Sequence, residues 1–399
     1  MDKVGGYMKK DYYREVIEKD ISNGEIAGAS LCVSHQFEKV YEAQFGYQNI
    51  EEQEAMKNDT LFRLYSMTKP ITAVAIMMLL ERGKLDLLEP VSKYIEGFKG
   101  QMVAVNDQLM PVKNDVTIRD LLNMTSGVVY PGEDVPGQAI GEVFSQVIQG
   151  HVNHEEMTLV EIANAIGQCP LAFEPSTKWQ YGASADVLGA VVEVASGMKF
   201  SDFLKAHIFQ VLGMVDTDFY VPEQKWHRFA QNYRYDEKTG ELKPYRGDNL
   251  AIMDYKKSPL FESGGAGLVS TIDDYLKFAT MLLGKGKYNG QQIIGSKTVD
   301  LLTQNQLTQT QKTYMDWPYL KGYGYGNCMR IMEDPGLAGS NGSVGEYGWD
   351  GWTGNYCAID PVEKLIILYF IQRVDSGTTL TARKLKGITY GQVGGLDEE

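Results

Sequence analysis

The stretch RLYSMTKPITAVAIMMLLERG, residues 63–83, decides the fold of this chain because it predicts a helix without a polar face. A proline is tolerated only in the first turn of a helix, so Pro70 places the helix start near residues 66–68. Between residues 71 and 80 a single side chain, that of Thr72, is polar. A helix that is apolar on all sides must be buried, and we expect the core to form around it.

Two side chains at the head of this helix, Ser66 and Lys69, predict a catalytic pair. Their three-residue spacing places them on one face, with the amine in reach of the hydroxyl. Burial and the positive end of the helix both lower the pKa of a lysine, so that its free amine can accept a proton. In the alternative, Ser66 only caps the helix and Lys69 extends into solvent, and the residues alone leave this open.

The same Ser-x-x-Lys pattern occurs a second time, at Ser196 and Lys199, in a different context. This serine follows the apolar run VLGAVVEVA, and the intervening Gly197 is typical of the end of a helix. The second copy therefore lacks both the buried helix and the positive helix end. We interpret it as structural.

The rest of the chain predicts an α+β fold. Residues 27–49 alternate like a β-hairpin, signals from about 66 to 213 are mainly helical, and the last quarter returns to strands. We expect one antiparallel sheet, built from both chain ends and flanked by helices, with a mainly helical insertion. The strands of the last quarter are predicted at 323–332, 345–351, 355–360 and 363–373.

These signals divide the chain into two predicted domains. Residues 1–60 and 250–399 form an α/β sandwich, residues 61–249 form a mainly helical domain, and the active site lies at their interface. A first helix is expected over residues 9–22. Capping boxes are predicted at Thr117–Asp120, Thr158–Glu161 and Thr271–Asp274.

Composition narrows the partners and the compartment. The net charge is −14 and no block of Lys or Arg stands out, so we expect no nucleic-acid partner. No apolar run reaches the roughly 20 residues of a membrane span, and no signal sequence is evident, so we predict a cytoplasmic protein without membrane contact. The four cysteines are far apart, which favours buried free thiols. No pattern indicates an oligomeric state.

Two other enzyme classes are disfavoured. No G-x-S-x-G elbow occurs, which argues against a Ser-His-Asp α/β-hydrolase. The segment HVNHE, residues 151–155, lacks the H-E-x-x-H pattern and has no further histidine close by, so we interpret it as a solvated loop. We therefore predict no metal and no cofactor.

Several blocks of the chain, in order, resemble the serine β-lactamase and penicillin-binding protein superfamily. The similarity is to the branch that holds class C β-lactamases, D-stereospecific peptidases and family VIII carboxylesterases. Together the blocks cover most of residues 25–370. They include FRLYSMTKPITAVAIMMLLERG (62–83), VTIRDLLNMTSGV (116–128), WQYGASADVLGAVVEVASG (179–197), GGAGLVSTIDDYLKFATMLL (264–283) and YGWDGWTGNYCAIDP (347–361).

The resemblance implies a role for each residue that matches a motif. Ser66 would be the nucleophile, Lys69 its partner, and Tyr181 the tyrosine of the second motif, which shares the proton transfers. The third motif would fall on residues 349–351, and the backbone N–H groups of Ser66 and Trp352 would form an oxyanion hole. The substrate-binding residues implied in this way are Trp349, Asp350, Gly351 and Ala183.

Three departures from the family pattern bear on the substrate. Trp349 stands where the third motif has a lysine, Ala183 where lactamases have an asparagine, and Met124 where a histidine is frequent. These losses favour a neutral acyl substrate over an anionic antibiotic. The resemblance thus implies a serine hydrolase that forms an acyl-enzyme on Ser66, with a carboxylesterase acting on small acyl esters favoured. A β-lactamase, a D-amino-acid peptidase or amidase, and a non-catalytic sensor are the alternatives.

Overall fold

An eight-stranded antiparallel sheet is built from both ends of the chain, as the sequence predicts, in the computed structural model. The structure describes residues 11–106, 108–247, 249–252 and 255–393. The predicted α+β architecture with flanking helices and a largely helical middle is confirmed. The assignment of two domains with the bounds given above stays a prediction.

The helices and strands of the described residues are as follows. The α-helices are α1 (Tyr12–Ser22), α2 (Thr68–Glu81), α3 (Ile118–Leu122), α4 (Val135–Asn153), α5 (Leu159–Gln168), α6 (Ser184–Ser196), α7 (Phe200–Leu204), α8 (Gln210–Leu212), α9 (Ile272–Leu283), α10 (Ser296–Leu302), α11 (Gln309–Lys312), α12 (Pro335–Ala338) and α13 (Leu380–Val393). The strands are β1 (Gly28–His35), β2 (Glu38–Asn49), β3 (Glu54–Ala55), β4 (Phe62–Arg63), β5 (Met102–Val105), β6 (Gln108–Pro111), β7 (Tyr233–Asp236), β8 (Glu241–Pro244), β9 (Val269–Ser270), β10 (Lys287–Tyr288), β11 (Gln291–Gln292), β12 (Tyr323–Gly326), β13 (Met329–Met332), β14 (Tyr347–Gly348), β15 (Tyr356–Asp360) and β16 (Leu365–Phe370).

The two ends of the chain meet in the middle of the sheet. Its strand order is β12-β13-β14-β15-β16-β1-β2-β3, and β1 pairs with β16 in a register that sets Ser30 opposite Phe370. Side chains of α1 and α13 cover one face of the sheet, where they form a cluster with Leu31 and Ile367. The other face, with Leu368, joins the core that contains α2 and α9. The sheet is therefore buried on both faces.

One predicted strand proves to be a hairpin. Residues 323–332 form β12 and β13, joined by Asn327 and Cys328, which both have positive φ angles of 50° and 65°. Two consecutive positive φ angles are typical of the tight turn whose twist matches antiparallel strands. The prediction of a single strand was wrong because the turn contains no glycine or proline. The predicted strand at 345–351 is likewise shorter, with only Tyr347–Gly348 in the sheet.

Two of the three predicted capping boxes, those that begin α3 and α5, are confirmed. In the third, the Thr271 hydroxyl accepts a hydrogen bond from the Asp274 N–H, but the Asp274 carboxylate accepts none from the Thr271 N–H. The Asp274 carboxylate instead accepts hydrogen bonds from the Asp216 N–H and the Thr217 hydroxyl. The first helix begins at Tyr12, one residue after its cap Asp11, and the earlier part of that prediction lies outside the described residues.

The segment predicted as a solvated loop at 151–155 is partly helical. Helix α4 continues to Asn153, and His154 caps it in a left-handed conformation. The prediction was wrong here because His151 completes the last turn of α4, where its Nδ1 lies 3.2 Å from the Glu156 carboxylate. Among the described residues no group of three or more His, Cys, Asp or Glu side chains is arranged to hold a metal ion.

Helix α2 is the apolar helix that the sequence predicts. It runs from Thr68, ends before Gly83 at a positive φ of 62°, and is buried over its first twelve residues. None of the described helices combines the length and the apolar content needed to cross a membrane. The cytoplasmic location stays a prediction. All four cysteines are buried and unpaired.

Candidate active site

Ser66 lies in a short turn that connects the sheet-like pair β4 and β9 to helix α2. The turn spans Tyr65–Met67 in a 3₁₀ conformation, and the Leu64 N–H donates to the Leu268 carbonyl at 2.9 Å. Tyr65 has a φ of 45°, which is uncommon for a bulky side chain and costs free energy. The hydrogen bonds on either side hold this turn in place, so that Ser66 is presented at the mouth of α2.

The sequence left open whether Lys69 extends into solvent and Ser66 only caps the helix, and burial decides between the alternatives. Lys69 has no solvent-exposed surface, and Ser66 does not cap the helix, because the cap position belongs to Met67. The alternative of an extended, solvated lysine is therefore wrong. A buried amine must find its partners inside the protein.

Lys69 has three partners within hydrogen-bond distance. Its Nζ donates to the Ser66 Oγ at 3.0 Å, to the Tyr130 hydroxyl at 3.0 Å and to the Gly265 carbonyl at 2.7 Å. Burial lowers the pKa of Lys69 to about 8, although the negative charge of Asp186 acts in the opposite direction. With this pKa, roughly a tenth of the amine is neutral at pH 7 and able to accept the Ser66 proton.

The carbonyl that anchors Lys69 is held by a buried carboxylate. Asp186 accepts hydrogen bonds from the Ser263 hydroxyl at 2.5 Å and from the Gly265 N–H at 3.0 Å. The Thr72 hydroxyl of α2 donates to the Gly264 carbonyl at 2.7 Å in the same segment. These bonds fix residues 263–265 against α2, so the Gly265 carbonyl keeps its position beside Lys69.

Tyr181 completes the group of polar side chains around Ser66. Its hydroxyl accepts a hydrogen bond from the Trp349 indole at 2.9 Å, and the Lys69 Nζ lies 4.8 Å from its ring centroid. Burial raises the pKa of Tyr181 well above its usual value, while hydrogen bonds from Ser66 and Trp349 oppose that rise. Burial is the largest of these effects, so the phenol stays protonated at neutral pH.

The residues of the third motif, 349–351, all make contacts within the protein that support the site. Trp349 is buried and acts through its indole on Tyr181. Asp350 lines the cavity beside Ser66 and also accepts a hydrogen bond from Thr378. Gly351 is needed because a Cβ there would lie 2.5 Å from the Leu64 carbonyl, next to the nucleophile turn. Its close approach is to this protein's own backbone, and its predicted contact with substrate stays untested.

The two residues predicted to form the oxyanion hole lie beside the same cavity. Ser66 and Trp352 both line it. Within the described residues the Trp352 N–H donates no hydrogen bond, and its indole is fixed by the Asp375 carboxylate at 3.0 Å. Ala183 is fully buried under α6 and does not line the cavity. The oxyanion hole and the substrate contact of Ala183 remain predictions.

Tyr130 is the functional residue that the sequence reasoning missed. Its hydroxyl contacts Lys69, and its ring packs edge-to-face on that of Tyr181 at 5.7 Å between centroids. Burial raises the pKa of Tyr130 well above its usual value. The available signal was its place three residues after Gly127, at the end of one of the blocks that carry the family resemblance.

A cavity of about 660 Å³ opens beside Ser66. Residues between 130 and 148 form one wall, residues 249–251 form a second, and Trp317 and Tyr319 add a third. Asp350 is the single charged side chain among the described lining residues. Eight of these lining residues are aromatic: Tyr65, Tyr130, Phe144, Tyr181, Trp317, Tyr319, Trp349 and Trp352.

Comparison with known proteins identifies the class. The solved structure of "EstCE1, a hydrolase with promiscuous acyltransferase activity" superposes with a TM-score of 0.78 at 24% identity, covering 95% of this chain and 97% of the other. This likeness shows the fold. The fold of the chain is therefore of the β-lactamase type.

The family follows from the sequence. A family model described as "Beta-lactamase" matches residues 13–387, and the chain belongs to this family. Protein Rv1367c of Mycobacterium tuberculosis is 31% identical over 375 residues, which are 92% of this chain and 90% of that protein. Esterase EstB of Burkholderia gladioli is 29% identical over 370 residues, 88% of each chain.

Proposed function

We propose that this protein is a carboxylesterase that transfers the acyl group of small, neutral esters to Ser66 and then to water. The observation that carries the proposal is the buried Lys69 amine, 3.0 Å from the Ser66 hydroxyl, with a pKa lowered to about 8. A buried lysine is costly to the fold, and a nucleophilic serine needs an adjacent base. The name of the relative EstB supports the ester chemistry.

In the acylation step, Lys69 acts as the base. The Gly265 carbonyl can only accept, so it retains one N–H of the neutral amine, and the amine lone pair is free to face Ser66. The Ser66 proton passes to Lys69 as the Oγ–carbon bond forms, and the N–H groups of Ser66 and Trp352 hold the oxyanion. Tyr181, which stays protonated, gives its proton to the leaving alcohol as the ester C–O bond breaks, and the Lys69 ammonium restores it.

Deacylation repeats these transfers with water in place of the alcohol. Water attacks the acyl carbonyl carbon and gives up its proton through the same side chains, and Ser66 recovers a proton as the acid leaves. The Trp349 indole fixes the direction of the Tyr181 hydroxyl, because it already occupies one acceptor position of that oxygen. The Tyr181 proton is therefore directed toward the reacting atoms.

The cavity supports a neutral and partly aromatic substrate. No cationic side chain lines it in the described part of the chain, so no lining charge would pair with a substrate carboxylate. The aromatic lining favours apolar or aromatic acyl and alcohol groups. These features support esters over β-lactams and peptide carboxylates, which carry a negative charge near the reacting bond.

A substrate panel tests the proposal. We expect p-nitrophenyl butyrate and p-nitrophenyl phenylacetate to be hydrolysed with kcat/KM at least about 100-fold above that for benzylpenicillin, since an unpaired buried charge costs several kcal/mol. Intact-mass analysis should show an acyl adduct that the variant Ser66→Ala lacks. Hydrolysis of benzylpenicillin as fast as that of the esters would overturn the substrate assignment. Reversible ligand binding with no adduct would instead indicate a sensor.

Transfer of the acyl group to an alcohol is a second candidate. A large aromatic cavity can retain an acceptor alcohol and exclude water from the acyl-enzyme, and EstCE1 is described as having promiscuous acyltransferase activity. Addition of benzyl alcohol to the p-nitrophenyl butyrate assay should then yield benzyl butyrate. Formation of butyric acid alone would exclude this activity for the acceptor tested.

A further inference from the structure

A second cavity of about 540 Å³ lies between helix α13 and strands β12, β13 and β15. It shares one wall residue, Tyr319, with the catalytic cavity, but Ser66 does not line it. The segment after α12 closes one side, with the sequence Gly-Ser-Asn at 339–341. The proposed ester chemistry uses no residue that is specific to this cavity.

The lining of this cavity is strongly positive in a protein whose net charge is −14. Among the described lining residues there are four cations and no carboxylate: Arg330, Arg383, Lys384 and Lys386. Lys386 is neutralised by Glu346, whose carboxylate lies 2.6 Å away. Neither Arg383 nor Lys384 forms an ion pair within the described residues. The cavity therefore has an excess of positive charge.

Arg330 is the most buried of these cations, and its guanidinium lies 4.5 Å from the centroid of the Tyr356 ring. Only 2% of its surface is exposed, and its Nη2 donates to the Cys357 carbonyl at 2.8 Å. Its Nη1 has no hydrogen-bond partner among the described residues, and the nearest carboxylate oxygen, on Asp350, is 3.8 Å away. A buried guanidinium N–H without an acceptor is costly, and an anion in the cavity would relieve that cost.

The segment around residues 339–342 is fixed over the cavity. Arg383 donates to the Ala338 carbonyl at 2.8 Å, and the Asn341 amide donates to the Gly387 carbonyl at 3.1 Å. A Cβ at Gly342 would clash with the Glu346 carboxylate and lie 3.0 Å from the Lys386 Nζ, so glycine allows the backbone to approach this ion pair closely. Hydroxyl and amide groups thus lie beside the cations, an arrangement suited to an anion with several oxygens.

We propose that this cavity binds a small multivalent anion with a phosphate or polycarboxylate group. Arg330 would hold it from the floor and Arg383 and Lys384 from helix α13. Bidentate guanidinium contacts and a lysine ammonium are the side-chain groups that recognise such oxygens. A monovalent anion such as chloride would satisfy fewer of these donors and should compete poorly.

Calorimetric titration tests this proposal with inorganic phosphate and citrate as the two probes, at an ionic strength held constant with sodium chloride. We expect saturable one-site binding of at least one probe, and the comparison distinguishes a phosphate site from a polycarboxylate site. Lys384→Glu should weaken binding by about tenfold or more, because it replaces a charge-assisted contact with repulsion. Arg383→Gln should weaken it in the same direction.

Lys297→Glu is the matched control, since it makes the same charge change as Lys384→Glu at a side chain that is 95% exposed and lies outside the cavity. This variant should bind the probe like the wild type. Lys384 is also exposed, so both variants should retain the fold and the esterase activity. Equal weakening of binding by Lys384→Glu and Lys297→Glu would overturn the proposal. So would the absence of saturable binding of either probe to the wild type.

Discussion

The chain carries the pattern Ser-x-x-Lys twice, and the two copies lie at opposite ends of helices. Ser66 and Lys69 stand at the start of α2, where Lys69 is fully buried and donates to the Ser66 hydroxyl at 3.0 Å. Ser196 is the last residue of α6, and Lys199 precedes α7 with 38% of its side chain exposed, paired with Glu262. The same residue types thus form a reactive pair in one place and a surface ion pair in the other.

The difference shows that environment, and not the pattern, gives the lysine its chemistry. At the first copy, burial lowers the pKa of Lys69 to about 8. At the second copy, the ammonium of Lys199 is partly exposed and forms an ion pair with the carboxylate of Glu262. Substitutions at equivalent positions of the two copies therefore test the account directly.

Replacing the two serines should give the largest contrast. Ser66→Ala should reduce kcat/KM for p-nitrophenyl butyrate by about 10⁴-fold or more, because no covalent ester can form. Ser196→Ala should leave it within about twofold, the range expected for a surface change away from the site. Steady-state kinetics measure both, and an unchanged thermal midpoint shows that the fold is intact. Residual activity of Ser66→Ala near the wild-type level would contradict the assignment of the nucleophile.

Replacing the two lysines by arginine should have the next largest effect. Lys69→Arg should lower kcat by about 10³-fold, because a guanidinium retains its proton and cannot act as a base. Lys199→Arg should keep the ion pair with Glu262 and the wild-type rate. Kinetics with p-nitrophenyl butyrate across pH 6–9 give the comparison. Equal activity of the two variants would mean that the charge of Lys69, and not its proton transfer, matters.

The stability of the fold should depend on pH through Lys69. The pKa of Lys69 is lowered from 10.5 to about 8, so the unfolded chain binds more protons between these two values. Stability therefore rises with pH across this window, by up to about 3 kcal/mol relative to Lys69→Met, which lacks the titrating group. Urea unfolding of the wild type, Lys69→Met and Lys199→Met at pH 7 and 10 measures the difference. Parallel behaviour of the wild type and Lys69→Met would show that Lys69 titrates normally.

Of the substitutions around Ser66 and Lys69, Trp349→Phe should have the smallest effect on kcat. Phenylalanine fills most of the indole volume but loses the N–H that donates to the Tyr181 hydroxyl at 2.9 Å. We expect kcat to fall by about tenfold, the effect of one lost hydrogen bond, with little change in KM. Trp317→Phe, which alters the cavity wall without touching that hydroxyl, is the control. A larger loss in the control would assign Trp349 a packing role only.

The local features of the sequence predicted the local features of the structure. Pro70 and the apolar run behind it placed α2, and its burial followed from the lack of a polar face. The sheet from both chain ends also followed, since each end carries alternating strands. The turn at Asn327 and Cys328 was missed because its positive φ angles are imposed by the strands on either side and not by glycine.

The site could be predicted only where a motif identifies its residues. Tyr130 reaches Lys69 across 61 residues of sequence, and its place three residues after Gly127 is the single signal that marks it among the 24 tyrosines of the chain. Asp186 acts through the segment at 263–265, a contact that depends on tertiary packing. The raised pKa of Tyr181 could not be predicted either, because its main cause is burial, which is a property of the folded core.

The central claim is that a buried lysine accepts the proton of Ser66, and the pH dependence of Ser66 modification tests it most directly. The rate of labelling by a fluorophosphonate, followed by mass spectrometry of the peptide that contains residue 66, should rise with pH to a plateau with an apparent pKa near 8. Lys199→Met should reproduce this profile. A rate that does not change between pH 6 and 10, or a label that appears on Ser196, would contradict the account.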